Sequence, residues 1–259
     1  QGDHVARMIT RIEDVFYIEK PTHVFVQGDT NTVMAGALAA AKASTAHRSS
    51  GLRFQLCHVE AGLRSFDRDM PEEVNRVVTD HLSDYLFVPT DRSRRNVLKE
   101  GIDSKKIFVT GNSVVDAVQQ NLRIAQRRLD LADLTAEKKG RYVLVTLHRQ
   151  ENVDDAVRLK ELLRGIELVS FKYGMRVVFP IHPRTRAKIE AFGIRLSDRF
   201  ELLEPVGYLA FLVLQSHAGI VLTDSGGLQE ESCILKVPCV TLRTSTERPE
   251  TIEVGANRL

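Results

Sequence analysis

Glu60, Asp67, Asp69, Glu72 and Glu73 are interleaved with Arg64, Arg68 and Arg76 in the stretch HVEAGLRSFDRDMPEEVNR, residues 58–76. Carboxylates that converge on one cleft raise one another's proton affinity, a common route to a general acid or base near neutral pH. The segment 52–59 before them is apolar and reads as a buried strand. Glu60 therefore sits at a strand's carboxyl end, where α/β proteins place their chemistry. Pro71-Glu72-Glu73 reads as a helix's first turn, where proline is tolerated and carboxylates complement the positive end of the dipole. Dipole complementarity suffices for one of Glu72 and Glu73 and leaves Glu60 unexplained.

Four further motifs carry polar groups at strand ends or helix starts. In VFVQGDTNT a strand at 24–26 meets the turn Gly28-Asp29-Thr30, and a helix runs from Val33 onward. Asp29 can serve chemistry, or Asp29 or Thr30 can simply cap that helix. VLVTLHRQEN is a strand running into His148 and Arg149, which suits an anion or a proton transfer, with a structural hydrogen bond as the alternative. His182 in FPIHPRTR repeats the arrangement, but Pro183 makes a turn-fixing role equally available. VLTDSGGLQEES places Ser225, Gly226 and Gly227 at a helix N-terminus, whose N–H groups can receive phosphate. It has neither the Walker pattern nor the Rossmann fingerprint. In RTSTERPET, Arg243 and Arg248 flank a run of hydroxyls; the Arg248 fork suits a diphosphate, or a surface salt bridge.

The elements that must position these groups alternate. Strand-like runs fall at 23–27, 54–59, 85–88, 107–110, 142–146, 176–180, 200–203, 219–223 and 238–242, with helix-like spacing between them, as at 157–169 and 209–214. Such βα alternation argues for parallel sheets covered by helices on both faces. A basic and polar stretch at 127–141 separates two blocks of similar size, which sets expected domains at 1–128 and 141–259.

A chain of 259 residues, 43% hydrophobic and 27% charged, has ordinary globular composition. Its net charge of +2 argues against wholesale nucleic-acid binding while leaving room for a local cationic pocket. Three cysteines, Cys57, Cys233 and Cys239, lack metal-ligand spacing and read as reduced thiols, which favours a cytoplasmic protein. No apolar run approaches the roughly 18–20 residues that span a bilayer. The chain starts in a helix-like segment at 3–19 without the opening strand of a doubly wound domain, and it stops soon after a motif. It is therefore expected to be a piece of a longer protein.

In this order and on these elements, QGDTNT, HVEAGLRSFDRDMPEEVNR, VPT, VTGNSVVDA, VTLHRQEN, TDSGGLQEE and TERPE resemble the non-hydrolysing UDP-N-acetylglucosamine 2-epimerases over nearly the whole chain. The resemblance implies a GT-B-like α/β fold, two Rossmann-like parallel-sheet domains with a UDP-sugar in the cleft between them. It places catalytic groups at Asp29, Glu60, Glu72 and His148, with Glu73 the substitute for Glu72 if the helix register shifts by one. It assigns UDP binding to Ser225, Gly226, Gly227, Glu231 and Arg248, with Phe211 beside the uracil and Glu231 on the ribose hydroxyls. The implied reaction removes the C2 proton as UDP leaves C1, forms 2-acetamidoglucal, and re-adds proton and UDP. It needs no cofactor and no metal. A UDP-sugar partner, a homodimer and a role in cell-surface polysaccharide synthesis are implied as well.

Two departures accompany the resemblance. The family's Gly-Thr-Arg-Pro-Glu motif and its C-terminal segment across the cleft do not occur in this chain. The loop between Glu60 and Glu72 is shorter than in the familiar bacterial enzymes, a form shared with archaeal-type epimerases and with relatives acting on UDP-2,3-diacetamido-glucuronate, so the substituents at C3 and C6 stay open. A hydrolysing relative, a GT-B glycosyltransferase and a non-catalytic nucleotide-sugar module are the competing functions.

Overall fold

Short apolar runs become strands here because each is followed by an amphipathic helix that returns the chain to the same sheet edge. The computed structural model describes residues 2–46, 54–128 and 142–259. Contacts divide the chain into two units, Gln1–Asn112 and Ser113–Leu259. The stretch 129–141, which holds most of the expected linker, lies outside the described residues.

In the first unit α1 (Gly2–Glu19) leads into β1 (His23–Gln27), α2 (Asn31–Ala46), β2 (Gln55–Val59), α3 (Pro71–Leu82), β3 (Tyr85–Val88), α4 (Asp91–Lys99) and β4 (Ile107–Val109). The strands lie in chain order and all pairs are parallel. Every crossover advances in the same direction, and right-handed crossovers then put all the helices on one face. Register bears this out: Val26, His58, Leu86 and Ile107 lie in one row across the sheet. Val24, Val26 and Leu56 pack with Phe16 of α1 and Ala37, Ala40 and Ala43 of α2, while Leu86 and Val88 pack with Val97 of α4. On the opposite face Phe25 (63% exposed), Phe87 and Phe108 (43% exposed) form a ladder of rings about 6 Å apart. The expected cover on both faces is thus met on one face only among the described residues of this unit.

The second unit contains α5 (Val114–Gln126), β5 (Tyr142–Thr146), α6 (Gln150–Val153), α7 (Ala156–Tyr173), β6 (Arg176–Pro180), α8 (Pro183–Ala191), β7 (Phe200–Leu203), α9 (Tyr208–His217), β8 (Ile220–Thr223), α10 (Gly226–Leu235), β9 (Cys239–Thr241), α11 (Pro249–Glu253) and β10 (Asn257–Arg258). Its strand order is β10-β9-β8-β5-β6-β7, all parallel. Val143 and Val145 face Leu159, Leu163 and Ile166 of α7. The alternate residues Tyr142 and Leu144 face Leu214 of α9. Both faces of this sheet are therefore covered, and its continuous apolar central strand follows from that. The chain leaves β5 toward β7 and returns at β8, so the direction of winding reverses between β5 and β8. Such a switch point is where an open α/β sheet binds its ligand.

One boundary differs from the sequence expectation. The helix α5 was expected in a first domain ending at 128, but its Ala125 packs with Leu209, Ala210 and Val213 of α9, and the division falls between Asn112 and Ser113. An amphipathic helix has the same periodicity whichever sheet it packs on, so the sequence carried no signal for the break. Overall, two parallel-sheet units of alternating strands and helices match the expected fold class.

Gly62 turns the chain after β2 at φ +77°, and a Cβ there would stand 2.5 Å from Ser93 O. Gly62→Ala is expected to cost at least about 1–3 kcal/mol, read as a lower urea midpoint. Gly165→Ala, in α7 with nothing within 4 Å of the added methyl, is expected to gain about 0.5–1 kcal/mol in the same measurement.

Candidate active site

In the first unit the acidic groups gather at the carboxyl ends of β1 and β2 and at the start of α3. Gln27, the last residue of β1, donates from Nε2 to Glu60 Oε1 at 3.1 Å. Asp29, in the turn that follows, accepts from Arg76 Nη1 at 2.5 Å, and its backbone carbonyl accepts from Asn75 Nδ2 at 2.8 Å. Glu72 and Arg76 are one helical turn apart on α3, so a single helix reaches Asp29 and carries Glu72. Glu60 adopts φ +67°, a left-handed conformation that costs a non-glycine residue about 1–3 kcal/mol and persists only where the surroundings enforce it.

Glu73 is no substitute for Glu72. It is 2% exposed, and its carboxylate accepts from Ser65 N, Ser65 Oγ and Phe66 N at 3.0–3.1 Å and from Arg76 Nη2 at 2.8 Å. Burial alone would raise this carboxyl's proton affinity, but the backbone N–H groups and Arg76 outweigh it and hold it below the ordinary carboxylate range. Its work is to shape the loop before α3. Arg64, unassigned from sequence, is an equally buried strut, bonded to Asp80 Oδ2 at 2.7 Å and to both oxygens of Glu100 at 2.6–2.8 Å.

In the second unit the β5 and β8 ends are tied together by Asp224, which is fully buried. Its carboxylate accepts from His148 N at 3.0 Å, Arg149 N at 2.9 Å and Asn152 Nδ2 at 3.2 Å, and it lies 2.8 Å from His148 Nδ1. Burial pushes the Asp224 carboxyl up, yet the His148 ring and these N–H donors win and hold it low. With Nδ1 committed to Asp224, the half-exposed His148 ring offers Nε2 outward. The His182 ring lies 6.2 Å from it, centroid to centroid, and accepts from Arg184 N at 3.2 Å, the turn-fixing role.

Ser225 starts α10 without spending its hydroxyl on a cap, so the helix's first N–H groups are available to an anion. Gly226 has no room for a side chain, because a Cβ would overlap the Glu247 carboxylate. Glu247 is itself buried and paired with Arg243 at 3.0 Å. Gly227 follows in the same turn. Glu231 accepts from Tyr208 Oη at 3.3 Å, and the Gln215 amide, turned with its nitrogen toward it, donates to its other oxygen at 3.0 Å. Burial raises the Glu231 carboxyl, the Tyr208 hydroxyl partly offsets this, and neighbouring Glu230 adds to it. Tyr208 is pushed up to about 12 by burial and by Glu231. Arg248 caps α11 and bonds Glu230 through Nε at 2.5 Å. Phe211, one turn after Tyr208, is half-buried against Leu214 and Tyr142.

Asp29, Glu60 and Glu72 are thus brought together within one unit, and His148, Ser225 and Gly226 at the switch point of the other. Sequence reasoning missed Asp224, although it ends β8 as Glu60 ends β2, and the same rule would have found it. It also missed Tyr208, Gln215, Arg76 and Asp80, which are recognisable only by the groups they meet across the fold. Among the described residues no three His, Cys, Asp or Glu side chains are gathered to hold a metal ion. No helix there is long and apolar enough to cross a membrane.

The family described as UDP-N-acetylglucosamine 2-epimerase matches residues 1–259. A Methanocaldococcus jannaschii protein named UDP-N-acetylglucosamine 2-epimerase is 51% identical over 264 residues, covering 100% of this chain and 70% of its own. The crystal structure of the Methanocaldococcus jannaschii UDP-GlcNAc 2-epimerase in complex with UDP-GlcNAc and UDP superposes with a TM-score of 0.91 at 51% identity, over 100% of this chain and 70% of the other. A Pseudomonas aeruginosa UDP-2,3-diacetamido-2,3-dideoxy-D-glucuronate 2-epimerase is 44% identical over 260 residues, covering 100% of this chain and 69% of its own.

Replacing Asp224 by Asn removes charge and acceptor capacity from four donors, and is expected to cost about 1–3 kcal/mol. A carboxyl held low in the folded state contributes stability that is complete above its unfolded pKa of about 3.9 and lost as pH falls through the lower folded value. Urea midpoints of the Asp224→Asn chain should therefore be lower at pH 7, and their further fall in acid shallower, than those of the native chain.

Proposed function

The chain belongs to the UDP-N-acetylglucosamine 2-epimerase family and is an isomerase, and from that premise we propose that it interconverts UDP-GlcNAc and UDP-ManNAc. The observation that carries the proposal is the gathering of Asp29 and Glu60 at the ends of β1 and β2 with Glu72 at the start of α3. Inverting C2 requires a proton to leave one face and return to the other, with UDP departing from C1 between the two events. Asp29, held in place by Arg76, suits the stabilising of positive charge that builds at C1. Glu60 and Glu72 are then the pair that exchange the C2 proton.

The leaving diphosphate needs donors that do not reorganise. The N-terminus of α10 at Ser225, Gly226 and Gly227, the outward Nε2 of His148 and the Arg248 fork are assigned to it. Glu231 is assigned to the ribose hydroxyls and Phe211 to the uracil face. We also assign the protein to the cytoplasm as a homodimer. Three cysteines with no disulfide among them fit a reducing compartment. A second reading, epimerisation of UDP-2,3-diacetamido-glucuronate, is favoured by the likeness to the Pseudomonas aeruginosa enzyme.

Incubation with UDP-GlcNAc in deuterated water is expected to place deuterium at C2 and to yield the manno epimer, followed by NMR. Exchange confined to the diacetamido-glucuronate substrate would favour the second reading, accumulation of N-acetylmannosamine a hydrolase, and no C2 exchange with either sugar would overturn epimerisation.

Affinity for UDP-GlcNAc should also depend on pH through Glu231. Its carboxyl is raised, so it keeps its proton, and loses acceptor capacity toward ribose, at a pH above the ordinary value of about 4.3. Calorimetry should show affinity falling as pH drops through that raised value. Tyr208→Phe removes the hydrogen bond that lowers it and should move the fall to higher pH.

A further inference from the structure

His58 is the fourth of five residues in β2 and is fully buried on the helix-covered face. Its Nδ1 lies 2.6 Å from Asp80 Oδ1, and its Nε2 lies 2.9 Å from the carbonyl oxygen of Gly28. A backbone carbonyl can only accept, so Nε2 donates to the peptide that leads into Asp29. Asp80 is also fully buried; its second oxygen accepts from Gly62 N at 3.0 Å and from Arg64 Nη1 at 2.7 Å. Burial raises the Asp80 carboxyl, but His58 and Arg64 outweigh it and hold it low. The His58 ring thus bridges the buried Asp80 carboxylate to the Gly28 carbonyl.

The consequences fall on the two strand-end carboxylates. Asp29 follows the carbonyl held by His58, and its own carbonyl is held by Asn75. Glu60 sits in a left-handed turn between His58 and Gly62, both bonded to Asp80. Along α3, Glu72, Arg76 and Asp80 recur at four-residue intervals, which places them on one face of the helix. Glu72 is presented directly, Arg76 grips the Asp29 side chain, and Asp80 clamps the turns that aim Asp29 and Glu60.

We propose that the His58–Asp80 pair is the positioning device of the catalytic carboxylates, fixing the Asp29 and Glu60 turns relative to Glu72 through one face of α3. The proposal rests on the function assigned above, and differs from a merely structural pair in what its loss does to the chemistry. A structural pair would change stability alone. A positioning pair changes the rate of proton exchange at C2 while leaving nucleotide binding, assigned to the second unit, in place.

The test compares Asp80→Asn with Phe16→Ala, a core truncation against Phe54 before the start of β2, away from the carboxyl-end turns, at a temperature where both chains are folded. C2 exchange from UDP-GlcNAc in deuterated water should fall about 100-fold in kcat for Asp80→Asn, the scale of a small misplacement of reacting groups, with KM within about twofold. Phe16→Ala should keep its kcat. An Asp80→Asn chain that folds and matches Phe16→Ala in kcat would overturn the proposal. Nitrogen-15 NMR of the native chain reads the clamp without activity: the His58 Nε2 should carry the proton that the Gly28 carbonyl accepts, and a bare Nε2 would sink the proposal even if Asp80→Asn does not fold. If the native chain shows no exchange, the assigned function fails, and the nitrogen spectrum still decides whether the clamp exists.

Discussion

A carboxylate taken out of water is tolerated only when several donors converge on it, and each unit of this protein is organised around one such group. Asp80 gathers His58, Gly62 and Arg64; Asp224 gathers His148, Arg149 and Asn152. In both cases some of the donors are backbone N–H groups of the turn that leaves a strand's carboxyl end. Satisfying the buried charge and shaping the site are therefore the same event. Loops at strand ends are ordinarily the most adaptable parts of an α/β fold, and here they are pinned from beneath.

Much of this was legible in the sequence. The nine apolar runs appear as strands because each had the length and branching that a buried parallel strand requires, and β10 escaped because two residues, Asn257 and Arg258, carry no alternation. Glu60 and His148 were singled out by their place after a strand. The rest depended on distance in space. Asp80 reads as an ordinary polar residue late in a helix until His58 is seen beneath it, and Tyr208 reads as a helix start until Glu231 is seen beside it. Glu72 and Glu73 are indistinguishable as neighbours in a first turn. Only helix rotation separates them, turning Glu73 inward to Ser65 and Phe66 and leaving Glu72 partly exposed.

The two units solve different problems with the same parts. In the second, the winding reverses between β5 and β8, so two strand ends open side by side, and Asp224 staples them while α10 presents its N-terminus. That arrangement supplies fixed positive partial charge, which suits a diphosphate that must leave and return. In the first, the strands advance in one direction and no reversal occurs among the described residues. Its acidic groups are gathered instead across the ends of β1 and β2 by a single helix, α3.

That division marks where side chains can vary without touching the contacts that hold the first unit's carboxylates. The loop 61–70 is held at one end by Asp80 through Gly62 and further along by Glu73 through Ser65 and Phe66. At the second anchor the Phe66 side chain turns outward, 75% exposed at φ +59°, and the exposed Arg68 and Asp69 follow before α3. None of these three side chains holds Asp29, Glu60 or Glu72 in place. Substitutions there alter the exposed rim of the loop and leave the buried Asp80 and Glu73 with their partners.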